Sequence, residues 1–413
     1  MATTQTEEVD EMKTLFTGGY VFDGRGQCAD GLAVLVEDGR IARVASRGEF
    51  DGLNGGNGDA VEVVDTGGGA LLPGLTDCHV HLCYQGGADP VTALSKLQPG
   101  AVALVALQQA QLSMRRGITA LRDCGGKDYL EFAARDAIKS GVFDGPTIHA
   151  AGKMICMTGG HGNRWGRVAD GCDEVVKAVR EQIHANCDLV KIMATGGVMT
   201  PGVNPEDAHY SAAEMAAGIG EAHRFHRRAA SHAQGTEGIL NAVRGGIDSI
   251  EHGIFMDEQC VNEMRAAGVY LVPTLSALRN ILDHADAGIP EFIVEKTARV
   301  AVRHRESVQA YYQAGGNLAM GTDAGTPFNR HGDNARELAH MVDCGIAPAD
   351  ALTAACANAA DLMGLEHGVI KAGAPADLLV IDGNPLHDIN MAAEHRHHRA
   401  VYKNGKRVYA RDE

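Results

Sequence analysis

Eight short apolar segments alternate with helical ones through the middle of this 413-residue chain, and that alternation limits the folds open to it. The segments are Leu72–Val80, Thr119–Asp123, Thr147–Gly152, Leu189–Met193, Ala229–His232, Ser249–Glu251, Tyr270–Val272 and Leu318–Thr322. Between them run stretches with helical spacing, among them Ala101–Arg116, Asp173–Ala185 and Ser211–Arg227. Repeated strand–helix units predict parallel strands joined by helical crossovers. Eight of them over about 290 residues match a (β/α)8 TIM barrel, which usually takes about 250 residues and tolerates insertions. A helix over Pro348–Gly364 closes the region.

Both ends of the chain have a different texture. After an acidic leader, Met1–Lys13, short strands separated by turn signals are expected at Leu15–Asp23, Leu32–Val36, Ile41–Ser46 and Val61–Val64, with a Gly/Asn-rich loop at 52–58. The same texture returns at Gly368–Lys371, Asp377–Asp382, Ala400–Lys403, Gly405-Lys406 and Val408. The economical expectation is an α/β protein in which residues 1–73 and 366–413 pair into one small β-sandwich domain beside a barrel over 74–365.

Composition narrows the partners. The net charge of −16 and the 5% aromatic content argue against nucleic acid and anionic membranes. No apolar run approaches the roughly 18 residues needed to span a bilayer. The ten cysteines form no Cys-x-x-Cys pair and lie in apparent core segments, as free thiols of a reducing cytosol would. Met1–Lys13 carries no apolar core and reads as neither signal nor transit peptide. A soluble, cytoplasmic protein acting on a small molecule is expected.

In a barrel of this kind the reacting groups sit at the C-terminal ends of the strands. The first segment ends in His79-Val80-His81, and alternation puts both imidazoles on one face. The fourth carries Lys191 within an apolar run, the fifth ends on His232, the sixth on Glu251-His252 and the eighth on Thr322-Asp323. Any one of these alone reads as a core histidine, a helix cap or a solvated lysine. Together, in order at one end, they read as a site.

Imidazole and carboxylate suit Zn²⁺ and related divalent ions. A charged ammonium cannot ligate, so a lysine that meets a metal must be neutral, a form that burial near cations favours. A neutral amine can take up CO₂ to give a carbamate, and its two oxygens can bridge two ions.

The set His79, His81, Lys191, His232, His252 and Asp323 resembles the amidohydrolase superfamily, of the binuclear type with a carboxylated lysine, along almost the whole chain. That resemblance implies that His79, His81 and Asp323 bind a first metal ion and His232 and His252 a second. N6-carboxylated Lys191 would bridge two ions, zinc above all. It further implies hydrolysis by a hydroxide shared between ions roughly 3.5–4 Å apart, with Asp323 passing its proton to the leaving amine.

Gly159-Gly160-His161-Gly162, Ala194-Thr195-Gly196-Gly197-Val198, His209-Tyr210-Ser211 and Ser249-Ile250-Glu251-His252-Gly253 are similar to the imidazolonepropionase-like group. That group includes Xaa-Pro dipeptidases, enzymes acting on N-acyl amino acids, and ochratoxin-hydrolysing amidases. By that likeness His161 and Tyr210 contact substrate, with Tyr210 donating to the carbonyl oxygen as charge develops. Arg164, Arg330 and His331 are further candidates at the mouth, the arginines as clamps for a substrate carboxylate.

The run His395-Arg396-His397-His398-Arg399 reads as a solvated face, and Cys78 as packing. No Gly-x-Ser-x-Gly elbow or Walker lysine loop is present. Two alternatives stand beside this reading: a mononuclear cyclic-amide hydrolase or deaminase, against which Lys191 counts, and a non-catalytic scaffold. Relatives commonly assemble, so a homo-oligomer is expected.

Overall fold

The computed structural model describes residues 13–53 and 61–411. The acidic leader before Lys13 and most of the loop at 52–58 lie outside the described residues. The fold is α/β. Its parallel strands follow in chain order as Leu75–Val80, Ile118–Asp123, Thr147–Ala150, Leu189–Met193, Arg228–Ala233, Ser249–His252, Tyr270–Val272 and Asn317–Leu318. The first three form one parallel sheet. The other five, with short strands at Ile155–Cys156 and Arg167–Val168, form a second.

Backbone hydrogen bonds join the two sheets on both sides. Asp188 donates to the Ala150 oxygen at 3.0 Å, and on the other side Cys78 donates to Met320 and His81 to Ala324, each at 2.8 Å. Strands covered on both faces need apolar residues throughout, and all of Leu75–Val80 and Leu189–Met193 are buried. The crossover helices bury one stripe each. In Pro99–Arg115 it runs through Val102, Ala106, Ala110 and Met114, at spacings of four. Ser211 starts Ala212–Arg224 with a reciprocal capping box to Glu214.

The chain ends pair with each other. A six-stranded sheet runs Lys406–Ala410, His398–Lys403, Leu378–Ile381, Ala70–Pro73, Tyr20–Phe22 and Cys28–Ala29. A four-stranded sheet runs Arg40–Ser46, Leu32–Glu37, Lys13–Thr17 and Val61–Asp65. They share a core in which the Phe16 and Tyr402 rings meet edge to face at 4.9 Å.

Several expected elements come out differently. Leu72–Val80 is two strands. Ala70–Pro73 belongs to the six-stranded sheet, Leu75–Val80 to the parallel one, and the transfer happens at Gly74. A Cβ there would lie 2.2 Å from the Thr119 hydroxyl, so only glycine lets the chain pass this close. Leu15–Asp23 likewise splits at Gly18-Gly19, where Gly18 takes φ +88°.

Gly368–Lys371 is not a strand; Ile370 donates to the Asp23 oxygen in an irregular segment. The Pro348–Gly364 helix breaks at Cys356, whose φ of −114° and ψ of −96° leave helical space. The eighth segment is strand only at Asn317–Leu318, because the amide of Met320 turns to Ala354 and that of Thr322 to the Asp77 carboxylate. His398 is not on a solvated face. It is fully buried, with Nε2 2.9 Å from the Ala392 oxygen.

All ten cysteines are free; eight are buried, and Cys172 is exposed. Among the described residues no helix is long and apolar enough to cross a membrane.

Burial also leaves a pH signature. His367, buried 3.1 Å from the Thr76 hydroxyl, has its pKa pushed down to about 4, chiefly by desolvation. Its folded pKa lies below the unfolded value of about 6.5. The stability tied to it is therefore present above about pH 6.5 and lost as pH falls, because only the unfolded chain takes up the proton. Denaturant unfolding of His367→Asn should show a stability loss between pH 6.5 and 4 that is about 3 kcal/mol smaller than in the wild type.

Candidate metal centre

Six side chains meet where the parallel strands end. His79 and His81 come from the first strand, Lys191 from the fourth, His232 from the fifth and His252 from the sixth. Asp323 follows the eighth. All six line one cleft of about 470 Å³. The His79 and His81 Nε2 atoms lie 3.6 and 3.2 Å from Asp323 Oδ1. Lys191 Nζ, almost fully buried, is 3.4 Å from His79 Nε2. Ring centroids are 5.2 Å apart for His79 and His252 and 4.6 Å for His232 and His252.

Two strand tips hold these groups with strained backbone. His252 has φ +73° and Asp323 φ +61°, a left-handed conformation costly for residues with a Cβ. Gly321 lets the backbone before Asp323 press against the first strand, since a Cβ there would stand 2.9 Å from the His79 Cβ.

Each imidazole has one nitrogen held and the other presented. His79 Nδ1 is 2.7 Å from Glu251 Oε2, and His81 Nδ1 is 2.7 Å from the Gly125 oxygen. Both Nδ1 atoms therefore donate, and both Nε2 atoms face Asp323. The Thr274 hydroxyl donates to Pro273, so it accepts from His252 Nδ1 at 2.7 Å and leaves Nε2 free. His232 is reversed: its Nε2 donates to the Gly196 oxygen at 2.9 Å, leaving Nδ1.

Burial, reinforced by neighbouring positive charge, holds the pKa values of His79, His232 and His252 well below the usual value. Neutral imidazoles are the form that binds metal. For His81 burial pulls the other way from Asp323, whose hydrogen bond and charge win and raise the pKa. His79, His81 and Asp323 bring their donor atoms within 4.8 Å of one another and could hold a divalent ion. His79, Cys124 and Glu251 also cluster, but Glu251 is already bound by Arg122, and burial pushes the Cys124 thiol up to about 12.

The other candidates divide. His161 lines the cleft, its ring 4.5 Å from that of His232 and its Nδ1 2.8 Å from the Thr200 hydroxyl. Arg164 lines the same cleft. Tyr210 does not: its hydroxyl donates to the Ala169 oxygen at 2.8 Å, so it is not placed to serve a substrate carbonyl. Arg330 is exposed outside the cleft. His331 is buried behind it, with Nε2 3.1 Å from the His81 oxygen.

Sequence reasoning missed the supporting polar residues. Arg122 binds Glu251 Oε1 at 2.8 Å. Asp123 accepts from the amides of Leu82 and Gly125 at 2.7 and 2.8 Å. Asp77 accepts from the His79 amide at 3.0 Å and the Thr322 hydroxyl at 2.6 Å. The available signal was charge inside apolar strands: Arg122, Asp123 and Asp77 all sit in such segments.

Residues 70–408 match the profile of the amidohydrolase family. The chain belongs to that family. The chain is 30% identical to the ochratoxinase of Aspergillus niger, an alignment covering 96% of this chain and 87% of that protein. Among solved structures it resembles a Xaa-Pro dipeptidase with methionine in its active site (TM-score 0.86, 31% identity, 96% of this chain and 99% of that one). It also resembles a prolidase complexed with N-methylphosphonate-L-proline (TM-score 0.87, 31% identity, 97% and 100%). This amidohydrolase is thus a hydrolase of amide C–N bonds in small molecules, in a family that is generally metal-dependent.

Glu251→Gln should leave Arg122 buried without its counter-charge and His79 without a carboxylate partner. A drop of about 3–5 kcal/mol in unfolding free energy is expected, with metal affinity, read by competition with a chelating dye, lower by about 10–100-fold. Unchanged metal affinity in a folded variant would remove Glu251 from this role.

Proposed function

We propose that this amidohydrolase cleaves the amide bond of small, peptide-like substrates ending in a free carboxylate: N-acyl amino acids, Xaa-Pro or other dipeptides, or ochratoxin A. The carrying observation is the convergence of six donor-bearing side chains from five strand tips on one cleft that also holds Arg164. The relatives' substrates, where their names state them, point the same way. The architecture we infer is a (β/α)8 barrel over 74–365 with a β-sandwich from 1–73 and 366–413, supported by the hydrogen bonds that join the parallel sheets on both sides.

The residues fit a pair of divalent ions. His79, His81 and Asp323 would hold one, His232 and His252 the other, with N6-carboxylated Lys191 between them. Nitrogen and oxygen donors favour zinc. When bound, such ions polarise a carbonyl and lower the pKa of a water toward neutrality.

The chain's own groups do the rest. Asp323, 3.2 Å from His81 Nε2, takes the proton of the attacking water and delivers it to the leaving nitrogen. His161, beside His232, offers a neutral ring to the substrate, its pKa pushed down to about 3 by burial and neighbouring positive charge. Arg164 holds the carboxylate. Val198, Met199, Leu278, Ile281, Phe292 and Ile293 line the cleft and exclude water from an apolar substituent. Ten free cysteines support a reducing, cytoplasmic setting, and a homo-oligomer is part of the same reading.

Metal-loaded protein screened against N-acyl amino acids, Xaa-Pro and Xaa-Xaa dipeptides and ochratoxin A should release an amino acid from at least one class. Asp323→Asn should lower kcat by about 10²–10⁴-fold. Elemental analysis should give two ions per wild-type chain and fewer in Lys191→Met. A single ion in both would favour the mononuclear alternative, and no release from any substrate would sink the proposal.

A further inference from the structure

A second cavity, of about 410 Å³, opens at the other end of the parallel strands. It is bordered by Leu189 and Arg228, the first residues of the fourth and fifth strands, whereas Met193 and His232 further along those strands belong to the cleft. Five cationic side chains line it against two carboxylates, Asp136 and Asp188.

Two of the five are fully committed. Arg122 binds Glu251, Ser249 and the Cys78 oxygen. Arg135 binds Asp136 and Asp188 at 2.8 Å and the Asn186 oxygen at 2.9 Å. The other three have no carboxylate partner among the described residues. Arg228 closes the Asp361 and Leu362 carbonyls at a helix end, a common duty for a cation there. Arg227 uses only Nε, toward the Cys187 oxygen at 2.7 Å, which leaves its two terminal nitrogens. No hydrogen bond or ion pair ties the Lys139 ammonium among the described residues.

Three uncompensated cations around one concavity are unexpected in a chain of net charge −16. Compensation of helix ends explains Arg228 and part of Lys139, the last residue of its helix; Arg227 also follows a helix, which its amide closes at Ala222, but its two terminal nitrogens bond no helix carbonyl among the described residues. His149 and His226 line the same cavity and add hydrogen-bonding capacity. A concave pocket whose two carboxylates are both taken by Arg135, leaving the Lys139 ammonium and the Arg227 terminal nitrogens with free donors, suits oxyanions.

We propose that this cavity binds a small molecule bearing a phosphoryl group, at a site separate from the cleft. The test uses the metal-loaded full chain and calorimetric titration with inorganic phosphate and with glucose 6-phosphate, so that binding is read without turnover and independently of the amide-hydrolysis reading. The wild type should bind at least one probe saturably, with affinity falling steeply from about 50 to about 500 mM salt. Lys139→Gln/Arg227→Gln should weaken that binding ten-fold or more at an unchanged melting temperature, and Lys139→Gln alone, at an exposed position, should lose part of it. Tighter binding of the ester would identify a phosphorylated metabolite as the occupant, and tighter binding of inorganic phosphate the free ion. Absence of saturable binding in the wild type overturns the proposal. So does binding undiminished in the variants, which would place the phosphoryl group at the metal centre.

Discussion

One buried carboxylate ties the ends of the parallel strands together. Glu251 is inaccessible to solvent and divides its oxygens between His79 Nδ1 on one side and Arg122 with Ser249 on the other. Arg122 in turn grips the Cys78 oxygen. The first, second and sixth strands are thereby cross-linked by charge-assisted bonds in a medium where each is strong and where losing one is expensive. The spacing of His79 from His252 depends on that link, as does the ring orientation that aims His79 Nε2 at Asp323.

Around this anchor the strand tips leave regular geometry. In register, successive side chains alternate faces, which cannot gather donors from five strands into one small volume. A left-handed residue at the tip turns the chain and re-aims the side chain. His252 and Asp323 do this, and Thr274, at φ +52°, does it while receiving the His252 proton. Glycines accommodate the crowding: a Cβ at Gly197 would stand 2.7 Å from His161 Nε2. Strain of this kind persists only where its surroundings over-determine it, and here the Glu251 network and close backbone contacts do so.

That division explains what could be read from the sequence. His79 and His81 were legible because two-residue alternation in an apolar strand leaves no choice of face. Lys191, His232, His252 and Asp323 were legible because each ends or interrupts an apolar segment at the same end of the repeat. Tyr210, Arg330 and His331 lie in loops, where no period dictates direction. Tertiary contacts decided there, turning Tyr210 to Ala169 and His331 to the His81 backbone. The junction at Pro73-Gly74 was hidden because both strands it joins are apolar. Only the crowding of Gly74 against Thr119 separates them.

Within the cleft, Gln234 sits two residues beyond His232, 3% exposed, with no hydrogen bond to its carboxamide oxygen among the described residues. Leaving such a group unpaired costs about 1–3 kcal/mol, so a cleft that keeps it has a use for an acceptor. A hydrogen-bond donor, an amide N–H or a dipeptide's terminal amine, is the complementary group. Arg164 asks for a carboxylate and the wall of Val198, Leu278, Ile281 and Ile293 for an apolar body. On the proposed reading, the acylated amino acids and dipeptides are molecules that offer all three at short range. A cyclic amide without a carboxylate would leave Arg164 without its counter-charge, so on the proposed reading the cleft selects against such substrates by polar mismatch as well as by shape.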